Sequence, residues 1–143
     1  MNVERSDHST PDRDAMTFIN AILRSEALAA LAAGVVIWMA NEGSLLSLVP
    51  VLLLPDLSAV GYLVNPRVGA VTYNLVHNWT IAAVALGLGW WLDSRFLILS
   101  GAVLLAHVGL DRVLGYGLKL PSGFQDTHLG RIGRGQASVG RRR

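Results

Sequence analysis

The chain has 143 residues, 52% of them hydrophobic and 15% charged, with a net charge of +2 and no cysteine. A charged fraction far below the roughly 25% of an average soluble protein, in a chain too short to hide that much apolar surface inside itself, excludes an ordinary soluble domain. The missing cysteines exclude a disulfide framework, a thiolate metal site and a Cys nucleophile. The pI of 9.5 comes from basic residues that flank apolar runs, which points to a membrane partner and no nucleic acid.

Residues 1–17 are polar with mixed charge and read as a disordered cytoplasmic tail. A cleaved signal peptide is not expected, because the first apolar run starts late and a cut after Ala40 would need a small residue where Trp38 stands. The first helix is predicted from Phe18 to Ala40, ending in the turn Asn41-Glu42-Gly43-Ser44, where Gly43 suits a helix C-terminus and Ser44 an N-cap. The second runs from Leu45 to about Val64, with kinks expected at Pro50 and Pro55. Asn65-Pro66 reads as an N-cap followed by proline at the first helical position. The third helix is predicted as one rod from Pro66 to Leu92, ending in the Trp90-Trp91 interface pair. After the turn Asp93-Ser94-Arg95, the fourth runs from Phe96 to about Leu114 and stops at Gly115 and Gly117. Gly87 and Gly89 are expected to permit close helix packing. Residues 119–134 form an amphipathic, irregular segment, and 135–143 a disordered basic tail suited to anionic lipid.

Short connections make neighbouring helices antiparallel. The expected fold is therefore all-α, a four-transmembrane-helix up-down bundle over residues 18–118. Arg5, Arg13, Arg24, Arg67, Arg112, Lys119, Arg131, Arg134 and Arg141 to Arg143 fall on one side and only Arg95 on the other. This asymmetry predicts a multi-pass protein of the plasma membrane with both termini cytoplasmic.

Topology also sets the depth of the buried polar residues. At the helical rise, Glu26 lies ~21 Å below Ala40, Asp56 ~17 Å below Leu45 and His77 ~22 Å below Leu92. His107 and Asp111 lie ~16 and ~22 Å below Phe96. All five fall in one slab of the inner leaflet of a hydrocarbon core ~30 Å thick. His107 and Asp111 are four residues apart and share a helix face, as do Tyr73, Asn74 and His77. Ionisable groups at that depth are expensive and should turn inward to partners.

Two imidazoles with carboxylates make a shell suited to Zn, Mn or Fe. The ligand candidates are Asp56, His77, His107 and Asp111, with Glu26 as a fifth ligand or a base. Tyr73 and Asn74 would orient ligands or substrate, and His128 would fold back over the slab. The same residues also suit a proton or ion relay in a homo-oligomeric transporter, or interhelical hydrogen bonds that only lock a structural or partner subunit.

The blocks LLLPDLSAVGYLVNPRVGAVTYNLVHN and AHVGLDRVLGYGLKLPSGFQDTHLGRIG resemble a bacterial integral membrane family catalogued as domain of unknown function 4260, with likeness from about Arg24 to Gly133. The resemblance implies a small four-helix membrane protein. Matching positions are Asp56, Gly61, Pro66, Gly69, Tyr73, Asn74 and His77 in the first block. In the second they are His107, Asp111, Arg112, Gly115, Tyr116, Lys119, Phe124, Thr127, His128 and Gly130. A looser likeness joins the Pro-Asp pair and later histidines to membrane-bound metal-dependent hydrolases, although Ser58 stands where that family has a second Asp and its Thr-His-Ser stretch is missing. The expected chemistry is a metal-dependent hydrolase acting on a lipid or small membrane-soluble molecule. In it Glu26 or Asp111 takes the proton of a metal-acidified water, and Arg112 or Lys119 holds an anionic group.

Overall fold

The structure, a computed structural model, describes residues 13–132. Of the predicted tails, residues 1–12 and 135–143 lie outside the described residues, whereas residues 13–17, predicted as disordered tail, are helical. Five α-helices, one 3-10 helix and a small sheet follow in chain order.

Helix α1 (Arg13–Ala40) begins ahead of the predicted Phe18, with Asp14 favouring the positive end of the helix dipole in its first turn. Glu42, at a φ of 62°, turns the chain back. Helix α2 (Leu45–Val51) starts on Ser44 and Ser47, which form a reciprocal capping box. Pro50 lies inside α2 one residue before its end, and from Pro55 the helix type changes. Neither proline offers an N–H, and Pro55–Leu63 winds as a 3-10 helix.

The predicted third rod is two helices, α3 (Pro66–Val76) and α4 (Trp79–Trp91), broken at His77 and Asn78. Helix α5 (Arg95–Leu114) closes with Gly115 at a φ of 89°, Gly115 N–H on the Arg112 carbonyl and Tyr116 N–H on the Asp111 carbonyl. That is a Schellman ending, which glycine adopts at no steric cost. The segment predicted to be irregular is instead a three-stranded antiparallel sheet of β1 (Lys119–Leu120), β2 (Gly123–Thr127) and β3 (Gly130–Arg131). The fold is mostly helical but not all-α.

Helix α5 packs against both α1 and α4, while α3 packs on the 3-10 helix and the sheet. The α1–α5 approach is close. A Cβ on Gly34 would come within 2.6 Å of the Ala102 carbonyl, and one on Gly109 within 2.7 Å of the Leu31 nitrogen. Small residues at such crossings let backbones meet where lipid supplies no hydrophobic drive. Gly89 serves the same purpose toward Ile98, whereas Gly87 faces nothing within 4 Å. Trp38, Leu48, Ala102 and Val103 join α1, α2 and α5 in the main apolar core.

Among the described residues, three helical stretches are long and apolar enough to cross a membrane: Asp14–Ala40, Leu45–Leu63 and Arg95–Leu114. Trp79–Trp91 is apolar but shorter. Large apolar side chains such as Leu46, Leu63, Trp91 and Phe96 are exposed around the molecule, as expected of a surface that meets lipid.

Candidate metal centre

The break between α3 and α4 builds the site. Asn78 ends one helix and starts the next: its amide donates to the carbonyls of Asn74 and Leu75, both at 2.8 Å, and its Oδ1 accepts from Ile81 N–H at 3.1 Å. Arg112 Nη2 covers the His77 carbonyl at 3.2 Å. These partners satisfy three of the carbonyls at the end of α3 and one N–H at the start of α4, and His77 is fully buried at the junction. Its ring stacks on Tyr73 with centroids 3.6 Å apart. Its Nδ1 lies 2.9 Å from the Tyr73 carbonyl, with Ser58 Oγ at 3.5 Å.

His107, on α5, is set in the same manner. Its Nδ1 lies 2.6 Å from the Leu52 carbonyl. Pro55 has no N–H to give that carbonyl in an i→i+3 pattern, which leaves it able to accept from His107. A carbonyl only accepts, so each Nδ1 carries a proton, and in the neutral ring each Nε2 presents a lone pair. The two Nε2 atoms face one another at 3.0 Å. Asp56 Oδ1 lies 3.4 Å from the first and 3.6 Å from the second. Two ligand atoms each ~2.1 Å from one ion, subtending a right to a tetrahedral angle, would be ~3.0–3.4 Å apart. Two of the three separations, 3.0 and 3.4 Å, fall in that range and the third, 3.6 Å, lies just outside it, so the three donors are close enough to share one cation.

Asp111 borders this trio. Its Oδ2 is 3.9 Å from His107 Nε2 and accepts from Tyr73 Oη at 3.0 Å. Lys119 is buried, with Nζ 5.1 Å from the Tyr73 ring centre and 4.0 Å from that of Phe124. Burial holds its ammonium below the usual lysine range, with Asp111 and then Asp56 opposing that shift. Asn74 fixes the Lys119 backbone in both directions: its amide donates to the Lys119 carbonyl at 2.9 Å and its Oδ1 accepts from Lys119 N–H at 2.7 Å. Asn74 thus ties the sheet to α3 and does not enter the trio.

Of the residues singled out from sequence, Asp56, His77, His107 and Asp111 converge, with Tyr73 and Lys119 alongside. Two go elsewhere. Glu26 is exposed on α1, and His128 Nδ1 accepts from Leu118 N–H at 2.8 Å. Both line a separate cavity of about 1480 Å³ between α1, the start of α4, the end of α5 and the sheet. Arg112 also lines it, and so stands between the cavity and the His77 junction. The sequence reading missed Ser58 and the double role of Asn78. A signal for the second existed, since asparagine ahead of an apolar run is a strong N-cap.

No curated protein matches the chain, and no solved structure does. The family described as Domain of unknown function (DUF4260) matches residues 20–132. A match over that much of the sequence makes the chain a member of this family.

Proposed function

We propose that the protein is a plasma-membrane metalloprotein, with both termini cytoplasmic, whose Asp56, His77 and His107 hold a divalent transition metal for hydrolysis of a lipid or small membrane-soluble molecule. One observation carries the reading: both imidazoles spend Nδ1–H on backbone carbonyls, so two lone pairs confront each other at 3.0 Å with a carboxylate beside them. Neutral rings in these tautomers repel unless a proton or a metal ion lies between them; the carboxylate of Asp56 beside both rings favours the metal ion, and histidines that ligate metals are oriented by this kind of Nδ1–H bond to a carbonyl. Zn, Mn or Fe suits two nitrogens and one carboxylate, and such an ion supplies Lewis acidity to a coordinated water. Asp111, which accepts a hydrogen bond from the Tyr73 hydroxyl, lies beside His107 where it could take a proton. Glu26 lines the separate cavity and has no assigned part in that work. Half of the Asp56 side chain is exposed, which leaves an approach for a substrate.

Protein purified in mild detergent should carry close to one transition-metal ion per chain by elemental analysis. His77→Ala and His107→Ala should each lower that content at least tenfold, as loss of a ligand costs more than the ~10–100-fold typical of outer-shell changes. Metal-free preparations that do not take up added Zn, Mn or Fe would reject the reading.

A further inference from the structure

The large cavity has its own chemistry, apart from the His/Asp trio. Counting along α1 from its outer end at Ala40, Asn20 lies ~30 Å down, at the inner boundary of a ~30 Å hydrocarbon core. Arg24 stands near that boundary, and Ala27 and Ala30 reach inward from it. The cavity therefore runs from headgroup level about 15 Å toward the acyl chains. Its volume of about 1480 Å³ exceeds the ~300–1,000 Å³ of pockets for drug-sized ligands.

Its polar groups are nearly all cationic or donors. Arg24, Arg112 and Arg131 line it, against Glu26 as the carboxylate among the lining residues. Arg112 uses two of its N–H groups on the carbonyls of His77 and Tyr116, so others remain. Among the described residues no carboxylate lies within 4.0 Å of Arg24 or Arg112, while Arg131 leans on Asp126 at 3.7 Å. His128 accepts on Nδ1 from Leu118, so the neutral ring carries its proton on Nε2 and adds a donor. Ala27, Ala30 and Trp79 supply apolar wall at acyl depth, and Leu23, Leu114 and Leu129 add apolar surface near the boundary.

We propose that this cavity binds a membrane phospholipid with an anionic phosphate headgroup, the headgroup on Arg24, Arg112 and Arg131 and an acyl chain along the wall of Ala27, Ala30 and Trp79. Cations at the interface level and apolar wall at acyl depth match one amphiphile end to end. A soluble anion would use only the outer half.

The test is native mass spectrometry of the full chain in detergent, titrated with dioleoyl phosphatidylglycerol and, separately, dioleoyl phosphatidylcholine. The phosphatidylglycerol adduct should form at concentrations on the order of tenfold lower, given the gain per basic residue at an anionic surface. The double variant Arg24→Gln/Arg131→Gln, changed at two exposed side chains, should erase the preference, and Arg24→Lys/Arg131→Lys should largely keep it. Equal binding of the two lipids overturns the proposal. A preference that survives the glutamine variant overturns it too, by assigning the effect to the basic C-terminal sequence. Displacement of the lipid by equimolar inorganic phosphate would mean a soluble-anion site and also overturns it. None of these readouts needs a metal, so the outcome is independent of the Asp56–His77–His107 reading.

Discussion

His107 is oriented by a carbonyl that a proline leaves exposed, and His77 by the helix end on which it sits. At this scale the depth count from the turns found four of the grouped residues, because rise per residue is nearly constant whatever the neighbours do. It failed for Glu26 because depth carries no azimuth. Ala27, the next residue, is 2% exposed and faces α5, while Glu26 is rotated away by about 100°. Lys119 supports a pH prediction. Its folded pKa is lowered by burial, so the unfolded chain binds more protons below the free-lysine value of ~10.4. The corresponding stability is present above that value and is lost as pH falls through the folded pKa. The melting temperature of the wild type should therefore gain on that of Lys119→Met between pH 8 and pH 10. Parallel curves would show that the ammonium is not desolvated.

The elements divide by length. The long apolar stretches were legible, since composition alone marks about 20 residues as a span. The split of the third rod was not, because hydropathy averages over a two-residue interruption. What decides it is hydrogen-bond supply: Asn78 meets two orphan carbonyls and one orphan N–H, and Arg112 meets another carbonyl. Asn78→Ala should cost at least the ~1 kcal/mol of a lost N-cap, seen as a lower melting temperature in detergent, and Asn78→Asp should recover only the α4 cap. A variant as stable as the wild type would mean the break is held by packing. The sheet escaped notice because strands of two, five and two residues are too short to show alternation. Asn74, two-way bonded to Lys119, does more to place it than strand propensity.

For the whole molecule, the turn after α1 and the turn before α5 meet through Arg95 and Glu42, whose Nη1 and Oε2 are 2.9 Å apart. Both turns therefore lie at one end, opposite the cavity and sheet. Being exposed, this pair adds at most ~1 kcal/mol, so it marks the topology more than it holds it. The chain has no cysteine, which makes orientation simple to read. Glu42→Cys should react with a membrane-impermeant maleimide on intact cells, and Ser122→Cys only after permeabilisation. The reverse pattern would invert the molecule in the bilayer.

The trio is closed on its imidazole side and open on one flank, where Asp56 is 52% exposed against 0% for His77 and 5% for His107. Traffic to and from the rings must then pass a carboxylate, which acts as an anionic sill. Cations and neutral molecules cross such a sill more readily than negatively charged chelators do. An ion once seated would exchange slowly against polycarboxylates and faster against uncharged nitrogen ligands, so the kinetics of stripping would report which side chain guards the entrance.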